Sequence, residues 1–152
     1  MNYKKWFKII SYLFLGSSIS IFISIPFINY TSESWYDKSP ISPPAFIFAP
    51  MWGSLFFLIF LSIKELVKHK ELKHSFWLFS TQLLLNFAWG LLFNYYKSLV
   101  LSAISLIFAW FFILATLTEF RRISKKAGYL LLPYSSWVSI AVIVSLSNAF
   151  VN

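Results

Sequence analysis

Five stretches of this chain, 9–28, 41–63, 75–96, 98–118 and 127–152, contain no Asp, Glu, Lys or Arg. A helix needs about 20 apolar residues to cross the ~30 Å hydrocarbon layer of a bilayer, and each stretch is long enough. In hydrocarbon every backbone amide must bond internally, and runs of this length suit helices rather than barrel strands of about 10 residues. The chain is therefore expected to be an all-α integral membrane protein, a five-transmembrane-helix bundle. The paired prolines Pro43 and Pro44 are suited to opening a helix, so the spans are set at about 9–28, 43–63, 75–96, 98–118 and 127–150. Composition agrees. The chain is 59% hydrophobic and 12% charged, whereas soluble domains carry about a quarter charged residues.

The basic residues, which give a formal charge of +8, lie between the apolar runs. Lys4, Lys5 and Lys8 precede the first, Lys64, Lys68, Lys70 and Lys73 follow the second, and Arg121, Arg122, Lys125 and Lys126 follow the fourth. Only Lys38 and Lys97 fall on the other side. The positive-inside rule then puts the N-terminus inside and the C-terminus outside, with the long first loop, about 29–43, facing outward. Basic residues on short loops are topology signals, so no nucleic-acid partner is expected. Lys4, Lys5 and Lys8 ahead of an apolar run also have the form of a secretory signal. That run is longer than a usual signal core and no Ala-x-Ala site closes it, so it is read as a span. Sequential spans joined by short loops are expected to pack as antiparallel neighbours, and one membrane domain, 1–152, fills the chain.

Several chemistries are disfavoured. Without Cys there is no disulfide, thiolate metal site or thiol nucleophile. No charged group lies mid-span, as a proton-driven pump normally requires; Glu119, beside Arg121 and Arg122, comes closest. His69 and His74 sit in the basic second loop and read as solvated, so neither a metal site nor an axial haem ligand is expected. Ser135, Ser136 and Ser139 have no His or Lys on their own helix to activate them, and helix packing is the simpler role.

The intramembrane polar residues are more informative. Gln82, Asn86 and Trp89 stand at i, i+4 and i+7, so two amides and an indole share a helix face that should point inward. Interhelical hydrogen bonding and ligand contact explain that face equally well. Trp137, Ala141 and Ser145 repeat every fourth residue, and the small Ala141 leaves room beside the indole for a flat molecule. Ala49, Trp52 and Phe56 form another stripe behind the prolines. Other aromatic residues, such as Trp6, Tyr95 and Tyr96 near span ends, read first as interfacial belt residues.

These fragments together resemble the TspO/MBR family (translocator protein, tryptophan-rich sensory protein) in its bacterial form. The resemblance runs through Trp35-Tyr36-Asp37, Pro43-Pro44, Phe48-Ala49-Pro50-Met51-Trp52 and Gln82-Leu83-Leu84-Leu85-Asn86 with Trp89. It continues through Leu114-Ala115-Thr116-Leu117, Phe120 to Ser124, and Leu130-Leu131-Leu132-Pro133-Tyr134 leading to Trp137-Val138-Ser139 and Ala141. It implies a bundle whose cavity opens toward the first loop and binds porphyrins (tetrapyrroles) and other flat apolar ligands. The matching ligand-binding positions are Trp35, Tyr36, Trp52, Gln82, Asn86, Trp89, Trp137 and Ala141, with Lys38 placed to pair with a propionate at the cavity mouth.

The resemblance implies a receptor or translocator-like protein acting in sensing, sequestration or transport, with no cofactor required, in the bacterial cell membrane. Two alternatives stay open. One is light- and oxygen-dependent porphyrin degradation, with Trp52 and Trp137 as candidate photochemical residues. The other is a structural membrane protein that regulates a partner, its polar faces serving only to pack helices. Relatives are often homodimers, and Ala88 and Gly90 could admit a close helix, although their spacing is not the four-residue repeat of a strong association motif. The chain also departs from the family's usual pattern. Its first loop is about three residues shorter, Ile41 stands where a Trp is common, and Ser145 stands where many members have Asn. No basic residue follows Tyr134 in the last span, so sterol recognition of the animal type is not expected.

Overall fold

The computed structural model describes residues 2–25, 35–70 and 72–152. Within them lie five helices: α1 (Tyr3–Ser24), α2 (Ala45–Leu66), α3 (Lys73–Asn94), α4 (Leu99–Ile123) and α5 (Lys125–Val151). All five are long and apolar enough to cross a membrane. Residues 29–34 of the first loop, and residues 26–28 of the first expected span, lie outside the described residues.

Helix ends differ from the expected spans by up to six residues, and in a consistent way. α1 begins at Tyr3 instead of residue 9, α4 runs to Ile123 instead of 118, and α5 begins at Lys125. Charge marks where hydrocarbon ends, but a helix continues into the headgroup layer, where lysines and arginines remain solvated. Capping then sets the ends. Asn2 Oδ1 accepts from the Lys5 amide at 3.1 Å, and Ser98 Oγ accepts from the Leu101 amide at 3.4 Å. α3 ends at Asn94, so Tyr95 and Tyr96 fall outside it, and Lys97 takes a left-handed φ of 49° that turns the chain into α4.

Ser124 alone joins α4 to α5. Its amide donates to Phe120 O at 2.8 Å, closing α4, while its hydroxyl accepts from the Ala127 amide at 3.3 Å, opening α5. So tight a corner needs glycine at 128, where an added Cβ would lie 2.5 Å from Arg121 Cβ and 2.7 Å from Arg121 Cα.

Around the bundle the order is α1, α2, α5, α4, α3, and α1 and α3 touch only lightly to close the ring. This corrects the expectation that all sequential helices pair. α1 with α2, α3 with α4 and α4 with α5 do pack, but α5 takes the place beside α2 that α3 was expected to fill. The α2–α3 connection is long enough to step across, and specific contacts hold α5 where it is. Ser62 Oγ donates to Ala127 O at 2.7 Å, and Lys126 Nζ lies 3.8 Å from Glu65. A space therefore remains between α2 and α3 in the half of the bundle toward the first loop.

The opposite half is filled. Phe7, Phe79 and Phe120 are fully buried, with ring centroids 5.9 to 6.1 Å apart, and Ile63, Leu66 and Leu131 pack around them. This aromatic plug closes the bundle at the end that carries most of the Lys and Arg. Glu119 stands at that end, held by two bonds of 2.9 Å from Arg122 and approached by Ser75 Oγ at 3.5 Å.

Candidate functional site

Toward the first loop the space between α2, α3 and α5 is a cavity of about 300 Å³. One face of α5 supplies Trp137, Ala141, Val144, Ser145 and Asn148, which recur at three- and four-residue steps. α2 contributes Ala45, Phe48 and Trp52, and α3 contributes Trp89, Phe93 and Asn94. Phe48 meets Trp137 edge-on at 5.8 Å, and Trp89 stacks on Phe93 at 6.0 Å with 23° between planes. Ala141 and Trp137, one turn apart on α5, line the cavity together. The Nε1 atoms of Trp89 and Trp137 are buried and have no hydrogen-bond partner among the described residues.

The end of the first loop forms the mouth. Tyr36, Lys38, Ser42 and Pro43 line it. Trp35 and Tyr36 both pack on Phe93, at 5.3 and 5.5 Å. The loop is tied to the end of α5 by two asparagines. Asn148 Oδ1 accepts from the Ser39 amide at 2.8 Å and from Ser42 Oγ at 3.2 Å, and Ser39 Oγ meets Ser147 Oγ at 2.5 Å. Asn152 makes a reciprocal pair with Asp37, accepting from its amide at 2.8 Å and donating to its carbonyl at 2.9 Å. Backbone groups that no helix or strand satisfies are thus paired by side chains four residues apart at the end of α5, Asn148 in its last turn and Asn152 at its cap.

A second cavity, a crevice of about 500 Å³, lies beside the first and shares Trp52, Trp89 and Asn94 with it. It reaches α1 at Phe14 and is lined on α3 by Leu83, Asn86, Phe87 and Gly90. Asn86 Nδ2 donates to Tyr134 Oη at 2.9 Å across it.

Of the residues singled out from sequence, Tyr36, Trp52, Trp89, Trp137 and Ala141 come together on the first cavity. Trp35 packs edge-on against Phe93 beside its mouth. Asn86 lies on the crevice instead, and Gln82 lines neither cavity. Gln82 is 1% exposed, and neither amide atom has a partner among the described residues. The α2 stripe also shifts by one residue, because Phe48 reaches the cavity and Ala49 does not. Phe93, Asn148 and Asn152 were missed, although each stands four residues along the chain from another residue of the site or its mouth. Ser135 and Ser139 bond back to carbonyls of α5 at 2.9 and 2.8 Å, and Ser139 accepts from Trp110 Nε1 at 2.8 Å, so both hold helices in place. No group of three or more potential metal ligands exists among the described residues.

What the site can do follows from its lining. Three indoles and two phenyl rings offer flat apolar area, and Lys38 and Ser145 offer a cation and a hydroxyl toward the mouth. Such a cavity suits a planar apolar molecule with an anionic edge. Among the described residues no activated nucleophile or acid–base pair lines it.

The TspO/MBR family model matches residues 9–150. The Tryptophan-rich protein TspO of Chlorobaculum tepidum is 30% identical over 141 residues, covering 85% of this chain and 89% of that protein. The Translocator protein of Ovis aries is 31% identical over 132 residues, covering 82% and 78%. The Tryptophan-rich sensory protein of Cereibacter sphaeroides is 28% identical, covering 72% and 71%.

Proposed function

This integral membrane protein belongs to the TspO/MBR family, and from that premise and the cavity's lining we propose that it binds a porphyrin or similar flat tetrapyrrole. The macrocycle lies among Trp52, Trp89 and Trp137, with Ala141 leaving it room. Lys38 pairs with a propionate at the mouth, a charge-assisted contact stronger than a neutral hydrogen bond. The observation that carries this reading is the convergence of three indoles from three helices on one cavity with a lysine at its opening. Binding serves sensing, sequestration or movement of the ligand, with the N-terminus inside and the loop mouth outside.

The aromatic plug at the basic end favours sensing or sequestration over passage straight through the bundle. Phe7, Phe79 and Phe120 are fully buried and packed ring to ring there, which points to movement by the loop side or the lipid side.

Titrating the detergent-purified protein with protoporphyrin, while following tryptophan quenching and the Soret band, tests the proposal. Saturable binding that weakens in Trp137→Phe and in Lys38→Gln supports it. Binding that is absent, or indifferent to both changes, overturns it and leaves regulation of a partner protein as the better reading. Trp52 and Trp137 on the wall also favour a second activity, porphyrin breakdown driven by light and oxygen. Equal bleaching of bound porphyrin in wild type and in the Trp→Phe variants would rule that out.

A further inference from the structure

The crevice beside the main cavity has a different chemistry and opens in a different direction. The seam between α1 and α3 is zipped by rings in its basic-end half, where Tyr3 meets Phe76, Phe7 meets Phe76 and Phe79, and Phe14 meets Phe79 at 5.4 to 6.0 Å. Past Phe14 no described residue of α1 lines the crevice, and Ser18 turns away to bond Gly53 O on α2 at 2.7 Å. The seam therefore parts in the half toward the first loop, and the crevice lies in the parting. On the α3 side an added Cβ at Gly90 would meet nothing within 4 Å among the described residues. Phe87 and Leu91, at 72% and 43% exposed, flank the opening. At this depth the opening faces hydrocarbon.

The amide donors on the wall are already engaged. Asn86 Nδ2 is bonded to Tyr134 Oη, and Asn94 Nδ2 to Gly90 O at 2.8 Å. Apart from the unpartnered Nε1 of Trp89, what remains is mainly ring face and aliphatic surface, which rewards an alkyl chain and gives a polar ligand little to bond. Above the crevice Tyr95 forms the rim. Lys97 follows two residues later, one of the few cations on this side of the chain. An interfacial ring and an amine at that level match a phospholipid headgroup.

We propose that the α1–α3 crevice is a binding site for one acyl chain of a phospholipid in the leaflet on the first-loop side. The chain lies along Phe14, Leu83, Phe87 and Gly90, and its phosphate stands at the level of Lys97. Because Trp52 and Trp89 wall both the crevice and the main cavity, the bound chain packs against the back of the same indoles. The site does not depend on the identity of the cavity's own ligand.

The test uses the full chain in nanodiscs containing phosphatidylglycerol with a diazirine in its acyl chain, followed by irradiation and peptide mapping. Labels concentrated on Phe14, Phe87 and Leu91, over lipid-facing positions such as Leu84 and Phe111, are expected. Gly90→Phe fills the crevice and should abolish that enrichment, whereas Leu84→Phe, on the same helix but off the crevice, should preserve it. Gly90→Leu gives the same readout with a smaller side chain if the Phe variant does not fold. Even labelling of all lipid-facing positions, or enrichment that survives both Gly90 variants, would overturn the proposal. Enrichment with a diazirine fatty acid but not with the phospholipid would overturn the assignment of the occupant.

Discussion

Replacing Asn148 with Ala should loosen the cavity mouth while leaving the bundle folded. Asn148 is 5% exposed, and its Oδ1 accepts from the Ser39 amide at 2.8 Å and from Ser42 Oγ at 3.2 Å. Ser39 is itself 3% exposed, so truncation strands a backbone donor where water reaches it poorly. Leaving a buried donor unpaired costs about 1–3 kcal/mol. The Asn152 pair with Asp37 and the Ser39–Ser147 contact remain, so the cost falls on local opening. At about 1.4 kcal/mol per factor of ten, the Ser39 amide should exchange with deuterium roughly 5- to 150-fold faster. Amides of α4 around Phe120 should keep their protection. Hydrogen–deuterium exchange in nanodiscs, read at residues 37–43 and 113–120, measures both. Unchanged exchange at Ser39, or equal acceleration across α4 and α5, would refute the assignment of Asn148 as a local clip. If ligand binding requires the closed mouth, apparent affinity falls by the fraction of time the mouth is open.

Gly128→Ala should lower thermal stability by about 1–3 kcal/mol, because its Cβ would meet Arg121 at 2.5 Å, while Gly16→Ala should not destabilise; melting in one detergent compares them. Gln82→Leu should leave the melting temperature unchanged or raise it, since it removes two buried amide atoms without partners among the described residues; a clear fall would show that Gln82 makes a bond that matters. Tyr134→Phe removes the acceptor for Asn86 and should cost only about 0.6 kcal/mol, the usual size of a hydrogen bond between membrane helices, as a chemical-denaturation series would show. Phe79→Ala opens the aromatic plug and should cost about 3–5 kcal/mol.

The existence of five spans was legible because hydrocarbon imposes one rule on every segment, and long uncharged runs satisfy it in only one way. Helix ends were less legible. Lys4, Lys5, Arg121 and Arg122 bound the apolar runs but sit inside helices, since the solvent boundary and the helix end are different places. The neighbour order was hidden as well. What seats α5 beside α2 is a set of pairwise contacts, Ser62 with Ala127 and Phe48 with Trp137, that no periodicity encodes.

Within the site, Trp137 and Ala141 could be read from four-residue spacing, Trp89 from the face it shares with Gln82 and Asn86, and Trp52 from the stripe behind the paired prolines. Gln82 and Asn86 share a face with Trp89, but a helix face spans several turns of depth, and the cavity occupies only the outermost. Asn148 and Asn152 went unread because their partners are backbone groups of a loop, which carry no signal in side-chain patterns.

The measurement that bears most directly on the cavity as a ligand site is protoporphyrin titration of the Ala141→Trp variant against wild type. A new indole at 141 fills the space beside Trp137 and leaves Lys38 and the loop ties in place. Loss of saturable binding with an unchanged melting temperature is the predicted result. Undiminished binding in a folded variant would contradict it and place the porphyrin elsewhere on the protein.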